Sequence, residues 1–100
     1  MSKKALDTLT ETMFYVLLAL KNEDMCGSEI TDYVNTLTNG RVVMGPGTLY
    51  TILSNFQKEK LIEQTGSRGR MIIYRITDKG EEVFGAELDR IKQMVKDAEY

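Results

Sequence analysis

The chain has 100 residues, 42% of them hydrophobic and 28% charged, with a formal net charge of −2 from 13 basic and 15 acidic side chains. That length supports one domain with a thin core, and the near-neutral balance gives no bulk attraction to nucleic acid. There is no histidine and a single cysteine, Cys26, which excludes a histidine base, a Cys-His dyad, a Cys/His zinc site and a disulfide framework, and fits a reducing compartment.

The longest apolar run, Met13 to Leu20, has eight residues, too few to span a bilayer, and the start lacks a signal-peptide cleavage pattern. A cytoplasmic chain with no membrane association is expected. The charge is unevenly placed. Residues 1–40 carry a net −3, residues 41–75 a net +4, and residues 76–100 a net −3. A basic segment between acidic flanks is either a mixed solvated surface or a face for a polyanion.

The first predicted element is a helix over Thr8 to Lys21, where Leu9, Met13, Val16, Leu17 and Leu20 recur at helical spacing. Phe14 and Leu18 lie about a quarter-turn or more from that stripe, so its apolar surface is wide enough for a second contact. Gly27 or Ser28 opens a second helix, with Ile30, Val34, Leu37 and Tyr33 on its apolar side. Asn39-Gly40 stops it, both residues tolerating the left-handed conformation. Arg41 to Met44 is short and β-prone and predicts a brief strand.

Gly45-Pro46-Gly47 then breaks the chain, and proline suits the first turn of a third helix, Pro46 to Lys60. Leu49, Ile52, Leu53 and Phe56 form its apolar stripe. Gly47, Thr51, Ser54 and Lys58 form the opposite one, with Asn55 beside them and Thr48 and Tyr50 on the flanks. Leu61 to Thr65 and Met71 to Ile76 read as strands joined by a turn over Gly66 to Arg70. Thr77 is a good N-cap for a last helix, Asp78 to Ala98, with Asp78, Glu81 and Glu82 at its positive end. Phe84, Leu88, Ile91, Val95 and Ala98 are spaced 4-3-4-3, a heptad seam for packing on another helix, widened by Val83 and Met94. Gly80 and Gly85 weaken this helix by about 1 kcal/mol each relative to alanine.

This order of elements predicts a mainly α fold with a small β-hairpin: a winged helix-turn-helix over residues 1–76, followed by a dimerisation helix over residues 77–100. The third helix is then the recognition helix, placing small hydrogen-bonding side chains near base edges and phosphates. The wing puts Arg68 and Arg70 near the DNA backbone. An enzyme is not expected, since Gly45-Pro46-Gly47 is too short for a phosphate-binding loop and lacks its Lys-Ser/Thr. A winged-helix module that binds another protein is the competing reading.

The residues also carry a resemblance. Gly47-Thr48-Leu49-Tyr50, then Ile52-Leu53, then Lys60-Leu61-Ile62-Glu63, followed by Gly69-Arg70 and Tyr74-Arg75-Ile76-Thr77-Asp78-Lys79-Gly80, resembles the PadR family of bacterial transcriptional regulators. Leu17-Leu18-Ala19-Leu20 and Gly27 extend the likeness upstream, so that it runs roughly from Met13 to Gly85. The sequence departs from the family pattern at Ser28, where tyrosine is usual, at Lys60, where glycine is usual, and at Met71 and Ile72, where basic residues are common. The single last helix is similar to that of the short subfamily.

The resemblance implies a homodimeric repressor that binds a palindromic double-stranded DNA operator, with half-sites about 34 Å apart. It implies DNA contacts from Gly47, Thr48, Tyr50, Thr51, Ser54, Lys58, Arg68 and Arg70. By default Thr51, Ser54 and Lys58 are a solvated face and the two arginines ordinary loop charges. Tyr74 reads as a packed strand residue. The dimer interface expected from the seam and the wide first helix comprises Phe14, Leu18, Phe84, Leu88, Ile91, Val95 and Ala98, with Phe14 and Leu18 meeting the partner's last helix. Some short members hold flat hydrophobic effectors at that interface, for which Phe14, Tyr15 and Phe84 are the available aromatics, although packing explains each equally well. No cofactor or metal is implied. Cys26 reads as a small buried hydrophobe rather than a redox sensor, because Glu23, Asp24 and Glu29 oppose a thiolate there.

Overall fold

The computed structural model describes residues 8–99. In chain order these form α1 (Glu11–Asn22), β1 (Met25–Cys26), α2 (Gly27–Leu37), α3 (Pro46–Lys58), β2 (Ile62–Arg68), β3 (Met71–Ile76) and α4 (Asp78–Ala98). The fold is mainly helical with one small antiparallel sheet, a winged helix-turn-helix followed by a long C-terminal helix.

The first helix begins later than its apolar spacing suggests. Thr10 is the N-cap, its hydroxyl accepting the Met13 N–H at 3.1 Å, and a capped start excludes the residues before it. Leu9 therefore lies outside the helix, though it is buried. Residues 41–44 are not a strand: Val42 and Met44 are buried, but no strand among the described residues pairs with them. Their conformation follows from the end of α2, where Asn39 (φ 54°) and Gly40 (φ 81°) are left-handed and the Thr38 hydroxyl accepts the Val42 N–H.

The third strand of the sheet is instead β1, between α1 and α2, two residues long and without its own periodicity. Met25 pairs with Tyr74 and Cys26 with Ile73, so β3 is central in the order β1-β3-β2. The third helix is two residues shorter than expected. Lys60 adopts φ 63°, and the hydrogen bonds Leu61 N–H to Phe56 O and Lys60 N–H to Gln57 O make a left-handed helix end of the kind usually built on glycine.

The hairpin turn is tighter than expected. The strand β2 continues through Gly66 to Arg68, and only Gly69-Arg70 turn, with Gly69 at φ 60°. The extra length is absorbed by a bulge, since Gln64 pairs with Tyr74 but Gly66 already pairs with Ile73. A bulge bends a strand and increases its twist, which carries the wing back towards α2.

The core gathers Val16, Leu17, Leu20, Ile30, Val34, Leu53, Phe56 and Leu61, all essentially inaccessible. Leu49, Ile52, Leu53 and Phe56 are buried, as the α3 stripe requires. The last helix enters against this core through Gly80, whose missing side chain admits the Leu61 carbonyl and the Ile76 side chain. Phe84 is buried and stacks on Phe14 of the same chain, ring centroids 4.8 Å apart. One turn later Glu87 is buried, gripped by Arg90 and accepting the Leu9 N–H at 3.2 Å. Beyond Ile91 the helix leaves the core, and Met94, Val95 and Ala98 are exposed.

Candidate nucleic-acid interface

Burial of Leu49, Ile52, Leu53 and Phe56 fixes the rotation of α3 about its axis. The opposite side is therefore presented to solvent: Gly47, Thr48, Thr51, Ser54, Asn55 and Lys58 are all exposed, and Tyr50 on the flank is 57% exposed. Gly47 has no atom within 4 Å of where a Cβ would stand, so the backbone there is open to close approach. The basic residue in the last turn is Lys58, at the end that favours a cation.

The wing brings its two arginines to different places. The Arg68 guanidinium sits 2.7 Å from a carboxylate oxygen of Glu29, in the first turn of α2. That oxygen also accepts the Cys26 N–H at 3.0 Å. The Cys26 N–H and then Arg68 hold the Glu29 carboxyl below its ordinary range, and Glu29 in turn raises Arg68. Among the described residues Arg41 pairs with Glu11, Arg75 with Asp24 and Arg90 with Glu87. Among the described residues Arg70 is the one arginine with no carboxylate partner.

Arg70 lines a cleft of about 160 Å³ with Cys26, Gly27, Ser28, Tyr50, Met71, Ile72 and Tyr74. The cleft joins the wing to the start of α2 and to the flank of α3. Tyr74 is 5% exposed, and burial, with a smaller part from Tyr50, raises its phenol above the ordinary value. It is thus a packed strand residue, central in the sheet. Cys26 is buried, its Sγ 3.4 Å from the Ser28 hydroxyl, and its N–H is the group Glu29 caps. Periodicity in the sequence gave no sign of the Glu29–Arg68 pair, because the two residues are 39 positions apart.

The residues expected at a dimer seam divide. Phe14 and Phe84 stack on each other within the chain, and Tyr15 meets Phe14 edge-on at 5.8 Å while Arg41 caps its ring. The three aromatics available for an effector are thus already in mutual or cationic contact. Leu18, Leu88 and Ile91 are half-buried, whereas Val95 and Ala98 are exposed. No helix among the described residues is long and apolar enough to cross a membrane.

Comparison with known proteins agrees with this layout. Residues 16–86 match the family model described as the transcriptional regulator PadR-like family. A search of curated proteins found no match. Among solved structures, a transcriptional regulator from Clostridium thermocellum is 22% identical with a TM-score of 0.79, over 87% of this chain and 88% of that one. A PadR family transcription regulator from Clostridium difficile is 17% identical with a TM-score of 0.75, over 87% and 93%. A PadR-like transcription factor from Bacteroides fragilis is 22% identical with a TM-score of 0.74, over 87% and 85%.

Proposed function

The chain belongs to the PadR-like family of transcriptional regulators, has the fold of a DNA-binding regulator, and on that premise we propose that it is a homodimeric repressor of a palindromic operator. In this reading α3 enters the major groove with Gly47, Thr48, Thr51, Ser54 and Lys58 towards the duplex. Tyr50 and Arg70 take the backbone beside it, and Arg68 reaches a phosphate when its pair with Glu29 opens. The observation that carries the reading is the exposed, hydrogen-bonding face of α3, with Lys58 at its end, whose flanking Tyr50 shares a cleft with Arg70, an arginine with no carboxylate partner among the described residues. A DNA phosphate supplies the missing partner.

Residues 77–100 serve as the dimerisation element, and the seam that runs from half-buried Leu88 and Ile91 to exposed Val95 and Ala98 supports that role. Phe84 is already enclosed by its own chain, so the seam between copies starts after it. A small hydrophobic effector would act where α1 and α4 meet, by separating the Phe14–Phe84 stack.

The experiment is binding to the duplex upstream of the chain's own gene, followed by fluorescence anisotropy at two salt concentrations with random duplex as competitor. Preference by about 10³-fold or more, with a steep loss of affinity in salt, is the expected result. Arg70→Ala lowers affinity for all sequences and flattens the salt dependence. Equal affinity for native and random duplex overturns the operator reading and favours a protein-binding role for the winged helix.

A further inference from the structure

The exposed face of α3 contains one side chain able to read a base with two hydrogen bonds at once. Thr48, Thr51 and Asn55 stand at i, i+3 and i+7, so they form one ridge along that face, and all three are exposed. Threonine and serine offer a single hydroxyl each, and Lys58 offers a point charge with donors only. No arginine stands on this face, so the bidentate contact to guanine O6 and N7 has no donor here.

The other amide nearby is not free. Gln57 is half-buried beside the face and its Oε1 accepts from Gln64 Nε2 at 3.1 Å, tying it to β2. The Asn55 amide makes no hydrogen bond within the chain among the described residues. Its carbonyl and NH₂ match the N6 donor and N7 acceptor of adenine, the one base edge in the major groove that presents that pair.

Resting on the DNA-binding reading above, the geometry points to Asn55 as the residue that specifies an A·T pair in each half-site, by a bidentate contact to adenine. Thr51, one turn earlier on the same ridge and exposed, carries a methyl of the kind that packs on a thymine methyl. The half-site read by α3 therefore holds A·T at the position facing Asn55.

The test is a selection by the purified full chain from a duplex library with a randomised core, then anisotropy on the enriched duplex and its single-pair variants. The wild-type chain enriches a two-fold motif with A·T at one fixed position of each half. Replacing that pair by G·C costs the wild type about 5- to 150-fold per half-site. The Asn55→Ala chain, whose exposed helix gains propensity, keeps its circular dichroism and its affinity for random duplex, but no longer distinguishes A·T from G·C there. A motif that survives Asn55→Ala unchanged, or that holds G·C at every position α3 sets, overturns the assignment and leaves DNA binding standing. No enrichment by the wild type, with no salt-dependent binding to any duplex, overturns both.

Discussion

One oxygen of Glu29 binds the backbone N–H of Cys26 at 3.0 Å and the guanidinium of Arg68 at 2.7 Å. A single carboxylate thus caps α2 and holds the wing strand against it. The cap and the latch are separable. Glutamine keeps the carbonyl oxygen that accepts from Cys26 but has no charge for Arg68. Glu29→Gln is expected to fold as the parent does and to bind random duplex more tightly, because Arg68 is released to phosphate and a nearby negative charge is removed. The slope of log affinity against log salt steepens by about 0.9, the value for one more phosphate contact. Titrations at several salt concentrations check this; an unchanged slope shows that Arg68 stays away from DNA.

Glu87 is the carboxylate on which acid stability should turn. Its hydrogen bonds from Arg90, and from Leu9 N–H, hold the carboxyl below its ordinary value of 4.5 against the opposing effect of burial. A lowered folded-state pKa means that the stabilisation is fully present above the ordinary value. It disappears as pH falls through the folded one. Tm should therefore be flat down to about pH 5 and fall below it. Glu87→Gln should lower Tm at pH 7 and lose part of that acid dependence, the remainder coming from Glu29, which is shifted the same way. Removal of the acceptor altogether in Glu87→Ala leaves the Leu9 N–H unpaired and costs about 1–3 kcal/mol, measured by urea denaturation at pH 7.

The two glycines of α4 look alike in the sequence and behave oppositely in the structure. A Cβ on Gly80 would run into the Leu61 carbonyl and the Ile76 side chain, whereas one on Gly85 has nothing within 4 Å. Gly80→Ala is expected to destabilise by about 1–3 kcal/mol through overpacking. Gly85→Ala is expected to stabilise by about 0.5–1 kcal/mol through helix propensity alone. Thermal denaturation of the two variants, side by side, decides whether the close approach of α4 to the sheet is as tight as the structure shows.

That contrast marks what was legible in the sequence. Periodicity placed four helices, because Leu49, Ile52, Leu53 and Phe56, or Phe84 and Leu88, repeat within one element, and β-branched and aromatic content around a Gly-containing turn placed both wing strands. The polar face of α3 was legible for the same reason, as the complement of a buried stripe. Contacts between elements were not. Nothing local marks Met25 and Cys26 as a strand, since they pair with the distant Tyr74 and Ile73. The sequence ends the first wing strand at Thr65 because Gly66 looks like a turn; the bulge lets Gly66 sit within β2. Lys60 shows the reverse case. The glycine usual at that position in the family is absent, yet the left-handed helix end is retained, held by the hydrogen bonds of Leu61 and Thr77 around it.

The seam of α4 makes a prediction that separates folding from assembly. Phe84 is 3% exposed against its own core, while Met94 and Val95 are 47% and 49% exposed on a helix that has left it. A charge at Val95 therefore reaches solvent in the single chain but lies within any pairing of two such helices along the heptad. Val95→Glu is expected to keep the circular dichroism and Tm of a folded chain at low concentration while shifting sedimentation from dimer to monomer. On DNA the same variant should bind an isolated half-site as the wild type does, and lose the extra affinity that a second half-site confers through linkage of the two reading helices. A Val95→Glu chain that sediments as the wild type does places the interface elsewhere, on the face of α1 where Leu18 remains half-buried.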